Sequence, residues 1–337
     1  MSIDAATDRA WRAALDQVAR TGRLARPGDS FGLEREGLRV LPDGDLALSP
    51  HPTELGCSMT NRFITTDFSE SQLEFTTSPY HSFVGLEREL RDLQIFSHEV
   101  LNRSGADQRR ETEGLWPLSM PARLPEVEAA IPIAAYGDSP DGQAKHIYRQ
   151  GLARRYGRRM QTVSGVHFNF SFATALFDDV AAALEESAPE HAGSLSPREL
   201  RNRMYFAMLR NFQRDAVFLM YLFGASPAID RSFLSGPDDR LHSFEFDPDT
   251  LYGPHATSLR LSDIGYTNSN QCELAISYDT LPDYINSMCR AVSTPNPAYA
   301  GWSFERGEQL NSNHLQIENE HYCVIRPKQP PQAGERP

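Results

Sequence analysis

Cysteine is scarce in this chain and forms no pattern. The four thiols are Cys57, Cys272, Cys289 and Cys323, and no pair has CxxC spacing. That excludes a disulfide framework and a zinc knuckle, and leaves reduced, mostly buried thiols in a cytoplasmic protein as the expectation. No apolar run approaches the ~18 residues of a membrane span. The opening stretch MSIDAATDRAWRAALDQVARTGRL lacks the apolar core of a signal peptide. Basic charge is also in deficit, 33 Lys plus Arg against 45 Asp plus Glu. An acidic balance argues against nonspecific binding to nucleic acid or to an anionic membrane. Neither GxxxxGK[ST] nor a GxGxxG opening a helix is present, so a nucleotide site here is not of the P-loop type.

What is present is a globular composition, 40% hydrophobic and 23% charged over 337 residues, with no internal repeat. Helical spacing predicts helices over 5–21, 84–103, 143–158, 173–187, 198–222 and 280–292. Alternation predicts strands over 31–40, 62–68, 71–77, 162–172, 257–262, 272–278 and 314–325. The stretch 233–256, rich in Pro, Gly and acids, reads as a long surface loop, and 326–337 as a Pro-rich disordered tail. Strands and helices without a βαβ rhythm indicate α+β with an antiparallel sheet, and residues 1–325 read as a single domain.

The polar faces of these strands carry the chemistry. In FGLEREGLRV, Glu34 and Glu36 fall on one face, about 6 to 7 Å apart. Two charges at that distance repel by roughly 2.4 kcal/mol at an effective dielectric of about 20. Arg35 points to the other face, so solvent or a divalent cation must relieve them. An isolated pair of this kind is usually solvated. This pair has company: Asp67 ends one strand, Glu74 shares a face with Gln72 and Thr76, and His167 alternates with Val166 and Phe168 in TVSGVHFNFSF. Four carboxylates and an imidazole on strand polar faces suit Mg²⁺ or Mn²⁺, ions that commonly clamp nucleotide phosphates. Arg260 alternates out of TSLRLSD, placed to meet an anion. The cluster Arg149, Arg154, Arg155, Arg158 and Arg159 reads as a solvated helix face.

The segments GLEREGLRV, ITTDFSESQLEF, WPLSMP, YRQGLARRYGRRMQTVSGVHFNFSF, YLFGASPAI, ATSLRLSDIGYTN and LQIENEHYCVIRPK follow one another along the chain. In that order they resemble the proteobacterial type of glutamate–cysteine ligase, also called γ-glutamylcysteine synthetase, over nearly the whole chain. The resemblance implies a core like that of glutamine synthetase, an antiparallel sheet curved into a funnel with helices outside. It implies ATP as co-substrate and Mg²⁺ or Mn²⁺ in the funnel. The implied reaction is the first step of glutathione biosynthesis: phosphorylation of the glutamate γ-carboxylate, then attack of the cysteine amine on γ-glutamyl phosphate. By the same resemblance Glu34, Glu36, Asp67 and Glu74 bind metal with His167 beside them, and Arg260 binds glutamate. Arg260 and His167 are the implied catalytic pair. Tyr148, Tyr266 and Tyr322 receive cysteine.

The family continues past the RPK loop with another core strand, which carries a further metal-binding glutamate and a second substrate-binding arginine, and then a helical region. The expectation is therefore a fold incomplete at its C-terminus. Two alternatives stay open: a non-catalytic or weakly active remnant that binds nucleotide and metal, and a related carboxylate–amine ligase with another amine acceptor. The sequence leaves the oligomeric state open.

Overall fold

A computed structural model describes residues 5–21, 28–106, 112–265, 271 and 273–328. The longest strand, β1 (Ser30–Val40), is the spine of the fold. Two short strands, β2 (Ile64–Thr66) and β3 (Gln72–Thr76), lie on one side of it, and β4 (Gly114–Leu115) and β5 (Val166–Ser171) also pair with it. All of these pairings are antiparallel. A second sheet, also antiparallel, runs in the order β6 (Ala228–Asp230), β8 (Thr250–Tyr252), β7 (His242–Ser243). The expected α+β class with an antiparallel sheet is what the chain forms.

Helices cover the sheet where its residues are apolar. α2 (Phe83–Ala106) packs Val100, Leu90 and Leu93 against Ile64, Leu73 and Phe75 of the strands. On the opposite face, Leu38 and Val40 of β1 are buried with Leu259, Ile229 and Leu251. One face of β1 thus changes from carboxylate to core between Glu36 and Leu38. A helical cluster joins α1 (Ala5–Arg20), α5 (Thr174–Ser187) and α7 (Pro197–Phe223) through Trp11, Val18, Val180, Leu184 and Met204. The short α6 (Pro189–Ala192) links α5 to α7, whose start is fixed by a Ser196–Glu199 capping box. α3 (Pro140–Tyr156) begins with Ser139 accepting from the Gly142 N–H and has Pro140 in its first turn. Gly157, at φ 85°, then turns the chain into α4 (Arg158–Gln161), a conformation that favours glycine. α8 (Leu281–Ser293) buries Met288 and Ala291 against Leu315.

Several expectations need correction. Residues 257–262 form a 3₁₀ turn, Leu259–Leu261, not a strand. Leu259 is drawn into the core while Leu261 stays exposed, so the two leucines do not share a strand face. The described part of 272–278 contains no strand. Residues 314–325 hold a 3₁₀ turn, Glu318–Glu320. There the Glu320 carboxylate accepts the Gln316 N–H at 2.6 Å, so a side chain takes the place of a ladder bond. The stretch read as loop, 233–256, contributes β7 and β8. On β5, Val166 and Phe168 are exposed, not part of the core. Phe168 instead stacks on Phe31 at 6.0 Å.

The arginine cluster is not a solvated face. Arg155 has 0% side-chain exposure and pairs with Glu320 at 2.9 Å, also at 0%. Arg158 and Arg159 donate to the carbonyls of Ala129, Ile131 and Glu126. The described thiols, Cys57, Cys289 and Cys323, are free but exposed, not buried. Among the described residues no helix is long and apolar enough to cross a membrane.

Candidate active site

The register of the sheet assembles the site. Across the β1–β3 pair Glu36 stands opposite Glu74, and across the β1–β5 pair Glu34 stands opposite His167. Directly opposed residues share a face, so Glu34, Glu36, Glu74 and His167 are neighbours although they come from three separate segments. Asp67, one residue beyond β2, is held by its N–H on the Gln72 carbonyl at 3.0 Å. Its carbonyl accepts from the Tyr136 hydroxyl at 3.0 Å and from Arg149.

The two glutamates of β1 are held in opposite states. Glu34 is mostly buried, which by itself raises its pKa. Hydrogen bonds from His167, Lys328 and Asn169, with the Lys328 charge, outweigh that and bring it down to about 2. His167 Nδ1 lies 3.0 Å from Glu34 Oε2, and Asn169 Nδ2 lies 3.0 Å from Oε1. Lys328 Nζ contacts Oε1 as well. Glu36 is partly buried, and desolvation together with the Asp67 charge pushes it up to about 7. His167, Arg260 and the Gly165 N–H, 2.7 Å from Oε2, pull the other way without prevailing. The repulsion between the glutamates is thus eased by the Lys328 ammonium at Glu34 and by the raised pKa of Glu36. His167 is raised above its ordinary value, chiefly by the Glu34 hydrogen bond.

Arg260 approaches the same place from the 3₁₀ turn. Its charge acts on Glu36, and its Nη1 lies 3.4 Å from Ser119 Oγ. It passes so close over Gly165 that a Cβ there would meet Nη2 at 2.7 Å. Tyr148, on α3, is raised well above the usual phenol range by burial first, then by Tyr322 and Glu320. Asp67 also acts on it. The Tyr322 hydroxyl accepts from Gln161 at 3.1 Å, and its ring meets Tyr156 edge-on at 5.3 Å. The acids, Arg260, Tyr148 and Tyr322 therefore form one continuous neighbourhood. Tyr266 lies outside the described residues.

Whether the acids suit a divalent cation turns on their oxygens. Among the described residues no three His, Cys, Asp or Glu side chains stand ready to enclose an ion. Mg²⁺, however, keeps several waters and is commonly held by one or two carboxylates plus substrate phosphates. Desolvation and the Asp67 charge make the ionised form of Glu36 costly, and a cation arriving there would offset that cost. Beside it, Gln72 Oε1 is a buried acceptor with no partner; the amide nitrogen of the same side chain is 3.2 Å from Ser164 Oγ. This donor set fits a hard cation shared with phosphates, not an all-protein cage.

Some contributors were not singled out in the sequence. Asn169 shares the polar face of His167, so alternation alone exposes it. Lys328 and Gln72 carry no local signal that separates them from ordinary polar residues. Arg155 and Glu320 hold Tyr322 through Gln271, which donates to the Glu320 carbonyl at 2.7 Å and accepts the Tyr322 N–H at 3.0 Å. No spacing rule announces such a link.

Known proteins resemble this chain over most of its length. Residues 18–337 match the family model described as glutamate-cysteine ligase. The glutamate–cysteine ligase of Leptospira interrogans is 46% identical over 309 residues, covering 91% of this chain and 55% of that protein. The one from Hahella chejuensis is 45% identical over 328 residues, covering 96% and 59%. A crystal structure of glutamate–cysteine ligase from Francisella tularensis in complex with AMP superposes with a TM-score of 0.78 at 37% identity, covering 93% of this chain and 58% of that one. The chain thus spans somewhat more than half the length of the curated relatives it matches, and it belongs to the glutamate–cysteine ligase family.

Proposed function

We propose that the chain carries the acid-lined site of an ATP-dependent ligase that joins the γ-carboxylate of glutamate to the amine of cysteine. The observation that carries this reading is the convergence of Glu34, Glu36, Glu74, Asp67, His167 and Arg260 on one sheet face, in a chain of this family. The AMP bound by the Francisella tularensis relative supports a nucleotide site in the same fold.

A carboxylate is a poor acyl donor until it is phosphorylated. Transfer of a phosphoryl group needs charge neutralisation and in-line placement more than covalent help. Mg²⁺ or Mn²⁺, when bound, supplies positive charge to the triphosphate, and Glu34, Glu36, Asp67 and Glu74 are the residues that would hold it, with His167 beside them. Arg260 offers a planar fork suited to the α-carboxylate of glutamate. A γ-carboxylate oxygen attacks the terminal phosphorus of ATP, the bond to ADP breaks, and γ-glutamyl phosphate forms. The cysteine amine then attacks the acyl carbon, phosphate leaves with its bridging oxygen, and the amine gives up a proton. Tyr148 and Tyr322 are the described aromatic residues proposed to seat cysteine next to that carbon.

The order of bonds is testable. Glutamate labelled with ¹⁸O in its γ-carboxylate should yield phosphate containing one labelled oxygen when ATP, Mg²⁺ and cysteine are present. Unlabelled phosphate would mean simple ATP hydrolysis and would remove the acyl-phosphate reading.

A further inference from the structure

We infer that Lys328 is the site's own place-holding cation: it occupies Glu34 in the absence of a divalent ion and gives that carboxylate up when the ion binds. The inference rests on the acid-face reading above and extends it to a residue that reading does not use. Lys328 Nζ contacts Glu34 Oε1 from 294 residues along the chain. Glu34 is only 13% exposed, whereas Lys328 remains 46% exposed. The carboxylate is thus fixed in a wall of the sheet, and the ammonium is the partner with room to leave. Asn169 and His167 remain on the two Glu34 oxygens at 3.0 Å each, so the carboxylate keeps its orientation after that departure.

The choice of residue supports the assignment. The chain contains 31 arginines and only two lysines, Lys145 and Lys328. Lys145 lies 5.3 Å from the centroid of the Tyr136 ring. At Glu34 a lysine stands where arginine is the chain's usual cation. An ammonium is a compact point charge on a flexible stem, whereas a guanidinium grips a carboxylate in a rigid fork. A compact, weakly held charge mimics a metal ion and exchanges with one. A bidentate arginine would block it. Segment 324–328, which carries the ammonium, is thereby coupled to the state of the acid face.

The scarcity of lysine makes the test clean. The whole chain is treated with an amine-acetylating ester, with and without saturating Mn²⁺, and acetylation is followed at Lys328 and Lys145 by peptide mass spectrometry. Mn²⁺ alone is the probe. Acetylation of Lys328 should speed up about threefold or more with Mn²⁺, and that of Lys145 should not change. Lys328→Met should bind Mn²⁺ roughly two- to fivefold more tightly than the parent by electron paramagnetic resonance titration, the scale of one partly exposed ion pair. If the parent binds Mn²⁺ but Lys328 reactivity and the Lys328→Met affinity are unchanged, the place-holder role is wrong and the acid-face reading stands. If neither protein binds Mn²⁺, the acid face itself is not a metal site, and both readings fall.

Discussion

Glu34 and Glu36, two residues apart on one strand face, differ because their surroundings differ. One is flooded with donors and sits at about 2; the other, desolvated and facing Asp67, sits at about 7. Environments that drive two like groups apart mark sites where charge is handled. If these acids hold the cation, Glu74→Ala and Glu36→Ala should each weaken Mn²⁺ binding by roughly tenfold or more, with melting temperatures close to the parent's. Unchanged affinity in both variants would remove the assignment. The alternation of FGLEREGLRV made the pair legible in the sequence, but not which member keeps a proton, because that depends on Asp67, Gly165 and Lys328. A second residue-scale expectation concerns His51. Burial lowers its pKa, with Arg39 acting in the same direction and Glu70 against it, and its Nδ1 has no partner. Unfolding returns the imidazole to about 6.5. Below that pH the unfolded chain binds a proton the folded chain does not, so this group makes stability fall as pH drops, until its folded pKa is passed. The urea midpoint of the parent should therefore drop more between pH 7.5 and 5.5 than that of His51→Gln. Equal drops would contradict it.

At the scale of elements, the strands that carry the site were the readable ones. β1, β3 and β5 show period-2 patterns, because one face is packed and the other lined with polar groups. The segment LQIENEHYCVI shows a similar pattern yet makes a 3₁₀ turn. Its alternation reflects Leu315 going to the α8 cluster and Glu320 going to Arg155, 165 residues away. Periodicity reports burial, and burial here is not sheet formation. Arg155 failed in the opposite sense, since its helix looked polar and solvated. It donates to Gln309, Asn311 and Glu320, and Glu320 also accepts the Tyr156 hydroxyl at 2.9 Å. Removing one member of a fully buried pair strands the other charge. Glu320→Ala should destabilise the fold by about 3–5 kcal/mol in urea unfolding, and Arg155→Met with Glu320→Leu should recover much of that. A loss under about 1 kcal/mol in the single variant would show that the pair does not hold this region to α3.

At the scale of the molecule, the sheet face, the 3₁₀ turn bearing Arg260 and the tyrosines of α3 and the 3₁₀ region converge, which the order of motifs implied and spacing alone did not. The two lengthwise halves of β1 divide the labour: Glu34 and Glu36 face the site, and Leu38 and Val40 anchor the strand in a core shared with the second sheet. The last turns of α7 remain apolar and exposed, with Phe218, Leu222 and Phe223 each more than 60% accessible. The central claim is that this assembly couples ATP to the joining of two amino acids. Its most direct test is phosphate release by the purified 337-residue chain with ATP, Mg²⁺, glutamate and cysteine. The account predicts release that requires both amino acids together. No release from a chain shown to be folded, or release indifferent to cysteine, would contradict it.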